Sequence, residues 1–180
     1  YNGLDEKSGP NQNEPGSDGI GDTPYLGIEW DKYPLMGPIT VFKAGTWDNE
    51  TYYIDAVSNS TVLDFHFSSS ACSVRYNVTG IEGTLGFSRV TISKQLLWVV
   101  DKPWIILVGG QPATPILAQN EGFSYLYFTY NHSAQIVEIR GTHAIPEFQA
   151  AILPLFIGIV LILTVLTKVC RCKSSRRLQP

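Results

Sequence analysis

From Ile39 to His143 the chain runs in short segments whose apolar and polar positions alternate with a period of two: "ITVFK", "TYYIDA", "TVLDFHF", "SVRYNV", "FSRVTI", "WIILV", "YLYFTY" and "QIVEI". A period of two places alternate side chains on opposite faces of an extended strand. Eight such runs separated by turn residues predict an all-β, antiparallel, immunoglobulin-like β-sandwich over residues 38–144. In "TVLDFHF" strict alternation puts Leu63, Phe65 and Phe67 on the core side and Asp64 and His66 on the wet side. "WIILV" and "YLYFTY" are apolar on both faces, as strands covered by a partner are. Cys72, in "CSVRYNV", shares a face with Val74, Tyr76 and Val78 and reads as a structural thiol.

Residues 1–37 have a different texture. Of the first 25 residues, 14 are Gly, Pro, Asn or Asp, a composition that supplies turns and almost no apolar face. This stretch cannot build a core alone.

A third pattern begins after Glu147. No charged residue occurs between Glu147 and Lys168, and 12 of the residues from Ile152 to Leu166 are Ile, Leu, Val or Phe. As a helix, residues 150–168 would measure about 28 Å at roughly 1.5 Å per residue, close to a bilayer core. The run predicts one C-terminal transmembrane α-helix, with Pro154 tolerated in its first turns. Lys168, Arg171, Lys173, Arg176 and Arg177 follow with no acid among them. Such a cluster stays cytoplasmic, making 169–180 the inner tail and everything before Pro146 extracellular in a single-pass membrane protein. A glycolipid-anchor signal would end in its hydrophobic tail, whereas this chain continues beyond it.

Charge divides at the same place. Residues 1–147 carry eight basic and 16 acidic side chains, net −8, while the remainder carries +5. An acidic outer portion excludes nucleic acid as a partner, because phosphate neutralisation needs clustered Lys or Arg. The basic tail suits contact with the lipid bilayer. Four glycosylation sequons, at Asn49, Asn59, Asn77 and Asn131, all lie before the apolar run, in agreement with export. Only Cys72 among three cysteines lies in the outer portion, so no disulfide can close within it.

The chemistry on offer is thin. Asp18 and Asp22 in "SDGIGD", with Glu14 nearby, are the candidate calcium ligands, although the string lacks the order of an EF-hand loop and offers two firm carboxylates where six to eight oxygens are needed. A plain Asp/Gly turn is the competing reading. No other cofactor is implied. Asp64, His66 and Ser68 share a strand without a Gly-x-Ser-x-Gly elbow; no catalytic residues are assigned, and the chain reads as non-enzymatic. The run "GFSYLYFTYNH" can fill a core or form a platform for stacking sugars. His143 reads as a polar residue beside the membrane.

Two strings carry a resemblance. "GSDGIGDTPYLGIEWDKYPLMG", residues 16–37, resembles the closing segment of NosD-type right-handed parallel β-helix proteins. "IPEF" at 145–148, followed by the apolar run and basic residues, resembles the PEF-type C-terminal sorting signal of archaeal surface proteins. The first implies that residues 1–37 are the last coil of a truncated parallel β-helix. The second implies that Pro146, Glu147 and Phe148, within the 145–149 linker, are the processing triplet read by an archaeosortase-type enzyme, with release or re-anchoring of the product. Together they imply a cell-surface structural or binding module that tethers an upstream β-helix to the membrane. Extracellular polysaccharide or other surface proteins are its expected partners. Two alternatives place the activity upstream of residue 1: a polysaccharide-active β-helix enzyme, or a NosD-like copper-site assembly protein. Copper sites want grouped His, Met or Cys; this chain has one Met, Met36, and three scattered histidines.

Overall fold

The computed structural model describes residues 3–9, 11–26, 30–146 and 162. The chain divides into two compact units, Tyr1–Ile145 and Pro146–Pro180. The first begins with two small ribbons, β1 (Lys7–Ser8) with β2 (Glu14–Pro15), and β3 (Tyr25–Leu26) with β4 (Trp30–Asp31). The long strands follow: β5 (Ile39–Trp47), β6 (Glu50–Ser58), β7 (Thr61–Ser68), β8 (Ser73–Thr79) and β9 (Leu85–Ser93). After the short β10 (Leu97–Trp98) come β11 (Ile105–Val108), β12 (Gln111–Ala113), β13 (Ile116–Gln119), β14 (Phe123–Asn131), β15 (Gln135–Arg140) and β16 (His143–Ala144).

Two five-stranded antiparallel sheets carry the fold, in the orders β13-β14-β9-β6-β5 and β12-β11-β15-β8-β7. Their inward residues form one core: Ile54, Val90, Ile92, Leu126 and Phe128 from the first sheet meet Val74, Tyr76, Val78, Ile106, Val137 and Ile139 from the second. β9 shows why the alternation worked, with Gly86, Ser88, Val90 and Ile92 buried and the residues between them half-buried. The side chains of Phe42 and Phe65 stack at 4.6 Å, and Trp47 meets Phe67 edge-on at 5.7 Å, so an aromatic seam joins edge strands β5 and β7.

The fold class differs from the sequence expectation at three places. An immunoglobulin domain splits its strands ABED and CFG. Here the third and fourth long strands, β7 and β8, form a hairpin within the second sheet, and β9 inserts between β6 and β14. The described residues before Pro38 do not form a parallel β-helix coil: β1-β2, β3-β4 and the Ile20–Leu35 bridge are all antiparallel. The transmembrane helix that the apolar run predicts over 150–168 lies, apart from Ile162, outside the described residues. Among the described residues no helix is long and apolar enough to cross a membrane, and the described fold is all-β without that element. Glu147, Phe148 and the five basic residues of the tail also lie outside the described residues, while Pro146 is exposed.

Strict alternation fails in β7. Its register with β8 shifts between Leu63 and His66, and Asp64 takes φ 54°. This bulge puts one extra residue in the strand and reverses the facing of everything before it. Val62 is therefore buried, Leu63 is 53% exposed, and Phe65 and Phe67 pack on the core. Cys72 is not in a strand; it sits in the turn before β8 at φ 48°, its amide bonded to the Ser69 carbonyl.

Candidate functional site

The outward face of the first sheet brings aromatic, acidic and hydroxyl side chains together. Strand register sets it out in rows. One row runs Ile39, Val57, Arg89, Tyr127, Ile116; the next runs Val41, Asp55, Thr91, Tyr125, Ala118. Beyond these, Tyr53 and Phe123 lie opposite Lys43 and Ser93, respectively.

The N-terminal ribbon covers the first row. Val57 and Tyr127 face outward yet are only 3% and 9% exposed. Gly19 sits where a Cβ would come 3.0 Å from the Arg89 side chain, at φ 83°, a conformation that favours glycine twice over. Asp5 holds the ribbon together by accepting from the amides of Asp18 and Gly19, both at 2.9 Å. Asp22 accepts from the Glu6 and Lys7 amides. Asp18 accepts from the Ile20 amide and from Gln12 Nε2. The proposed calcium ligands Asp18 and Asp22 thus aim their oxygens at N–H donors, and Glu14 is exposed on β2. Among the described residues no group of three or more His, Cys, Asp or Glu is arranged to hold a metal ion.

Burial raises the carboxyls of Asp5 and Asp18 above the ordinary value, against the backbone and Gln12 donors that lower them and, for Asp18, the Arg89 charge. A carboxyl raised in the folded state lends stability that is complete below its unfolded value and is lost as pH rises through the folded one. Amide exchange at Asp18 and Gly19, corrected for its intrinsic pH dependence, is expected to show stronger protection at acidic pH than at neutrality. Protection that rises toward neutral pH would contradict this.

The next two rows remain open and form a cleft of about 470 Å³, lined by Val41, Glu50, Tyr52, Tyr53, Asp55, Thr91, Ser93, Gln95 and Phe123 among others. Its volume lies within the range of small-ligand sites. Tyr53 and Phe123 are 53% and 42% exposed, offering aromatic faces on strands held by paired neighbours. The Tyr52 hydroxyl lies 3.2 Å from Glu50 Oε2 and 3.4 Å from Gln95 Oε1. Asp55 makes no side-chain hydrogen bond with the described residues, and its burial between Val41 and Thr91 raises its carboxyl above the ordinary value.

A second constellation lies inside the sandwich. His132 Nε2 is 2.8 Å from Ser60 Oγ, and both residues are 6% exposed. Ser60 Oγ is also 2.8 Å from the Tyr130 hydroxyl, which lies 3.1 Å from Ser88 Oγ and 3.3 Å from Ser58 Oγ. Thr84 Oγ1 donates to the Ile81 carbonyl and meets His132 Nδ1. With its only proton so used, Thr84 accepts from Nδ1–H, and Nε2 shares the remaining hydrogen bond with Ser60 Oγ. That is the contact of a Ser–His pair. No carboxylate among the described residues backs the imidazole, and glycines cover it: a Cβ on Gly80 or Gly86 would collide with the His132 ring. Nearby, Tyr76 is 1% exposed and its hydroxyl has no partner among the described residues.

The residues singled out in the sequence are dispersed. Asp64 accepts from Asn77 Nδ2 at 2.7 Å and does not bond His66, while Ser68 pairs with Ser70. His143 stacks on Trp98 at 5.6 Å. Among the sequons, Asn49 is exposed in the β5–β6 turn at φ 65°, and Asn131 is exposed at the end of β14. Asn59, although exposed, uses its amide to pair the backbone of Leu85 and Phe87. In "GFSYLYFTYNH" the ring of Phe123 is available for stacking, whereas Phe128 and Tyr130 are core. Neither the cleft nor the Ser60–His132 pair was visible as a motif.

Comparison with protein families, with curated proteins and with solved structures finds no match for this chain.

Proposed function

We propose that the sandwich is a non-catalytic binding module of an exported surface protein, and that the cleft across β5, β6, β9 and β14 takes extracellular polysaccharide. The observation that carries this reading is the cleft itself: the exposed rings of Tyr53 and Phe123 stand beside hydroxyl and amide groups on rigid strands. Sugars present apolar ring faces bordered by hydroxyls, and a stacked aromatic with flanking hydrogen-bonding groups answers both. Thr51, Thr91, Ser93 and Gln95 supply those groups at the cleft. The sealed Ser60–His132 pair favours a module without hydrolytic chemistry, since neither reacting group is open to a substrate. The sequons favour export.

Binding to oligosaccharides from extracellular polysaccharides, followed by calorimetry, tests the reading. Tyr53→Ala and Phe123→Ala are each expected to weaken binding by about tenfold, on the order of 1–2 kcal/mol for loss of an aromatic anchor. Both are surface positions, so unfolding free energies should stay within about 0.5 kcal/mol of the parent. Undiminished binding in the double variant would sink the assignment of the cleft.

A further inference from the structure

The cleft's charges narrow its ligand, an inference that rests on the polysaccharide reading above. Among the described residues two carboxylates line it, Glu50 and Asp55, and no Lys, Arg or His does. Glu50 has a partner in Tyr52; Asp55 has none among the described residues and sits mid-row between Val41 and Thr91. A half-buried carboxylate without a donor is held at a cost that an incoming cation relieves, and it repels an incoming anion. Tyr53 and Phe123 flank the same space, and aromatic faces attract ammonium groups as well as sugar rings. Lys43, opposite Tyr53 on β5, lies outside the lining.

We infer that the cleft selects amine-bearing saccharides, polymers of 2-amino sugars with free amino groups, over neutral ones and excludes uronate- or sulfate-bearing chains. Asp55 receives the ammonium group while Tyr53 and Phe123 bracket the ring. A basic protein segment would share the charge but not the dense hydroxyl pairing offered by Thr51, Thr91, Ser93 and Gln95. The cleft also lies on the outward face of the sheet and not along the free edge of β5, so an extended peptide seated in it finds no row of free backbone groups to join.

The test uses the full chain and four probes of equal length at mildly acidic pH: a glucosamine oligomer, its N-acetylated counterpart, a neutral glucose oligomer and a uronate oligomer. A lysine-rich peptide is the fifth. The glucosamine oligomer is expected to bind about tenfold more tightly than the acetylated and neutral ones, the size of a charge-assisted hydrogen bond at a half-buried site. The uronate oligomer should not bind. Asp55→Asn should bring the amine and acetylated oligomers within about twofold of each other while neutral binding persists; Glu50→Gln, whose carboxylate already has a partner, should change the ratio less. Equal affinity for amine and neutral oligomers, or tighter binding of the uronate, overturns this inference and leaves the polysaccharide reading intact. Binding of the lysine-rich peptide with no saccharide binding overturns both.

Discussion

Replacing Phe128 by Ala is expected to cost about 3–5 kcal/mol, whereas Leu63→Ala, on a residue of the same apolar class, is expected to cost less than about 0.5 kcal/mol. Phe128 is 1% exposed in the middle of β14, which is paired to β9 and β13. Its ring fills the space between the sheets, and the surrounding strands, fixed by their ladders, cannot close on the void. A loss of that size is a large share of the 5–15 kcal/mol that holds a typical domain together, and no disulfide within residues 3–145 offsets it, since Cys72 is free. Leu63 lies before the β7 bulge and is 53% exposed, so its truncation gives up little burial. Urea unfolding of the two variants measures both. A cost for Leu63→Ala near that of Phe128→Ala would mean that β7 keeps strict alternation and that the Asp64 bulge is misplaced.

That contrast marks where the sequence was legible. Each of the eight runs became a strand or part of one, "WIILV" only as the four-residue β11 without Trp104, because a half-buried strand writes its facing into every second residue. What defeated the reading was an event that alternation cannot announce. A bulge is one extra residue, and Asp64 in left-handed φ leaves "TVLDFHF" looking regular. The N-terminal ribbon was hidden for another reason: its contacts are Asp5 and Asp22 carboxylates reaching amides 13 to 16 residues away, and no local period records such pairings. The order of strands is equally non-local. The cleft exists only because β9 inserts between β6 and β14, bringing Thr91 and Ser93 beside Asp55 and Phe123.

The buried polar cluster did leave a trace. Inward positions in β6 and the residues just after it run Ile54, Ala56, Ser58, Ser60; in β9, Gly86, Ser88, Val90, Ile92; from β14 onward, Leu126, Phe128, Tyr130, His132. In all three the core face turns polar or small at one end, and polar groups on a core face must find one another. Recognising this requires knowing that the three strands are neighbours. Alternation along one strand carries no record of that pairing.

Tyr130→Phe should therefore be far more damaging than the loss of one oxygen suggests. Its hydroxyl touches Ser58, Ser60 and Ser88 and lies 3.2 Å from the Phe87 carbonyl. Removing it strands buried hydroxyls without replacing their water, a cost of about 1–3 kcal/mol. Ser60→Ala acts on the same cluster, so the double variant should fall short of the sum of the singles by about 0.5 kcal/mol or more. Additive costs would show that these groups are not one network. The same residues also decide whether the Ser60–His132 pair is chemistry or packing. A Ser activated by imidazole reacts with organophosphonate reagents when they can reach it. Sealed under Gly80 and Gly86, Ser60 should stay unlabelled in the folded protein, and labelling should not appear in Gly86→Ala, where the ring is displaced but no carboxylate backs it. Stoichiometric labelling of Ser60 in the native protein would make the pair a nucleophile, and the non-catalytic reading would fall with it.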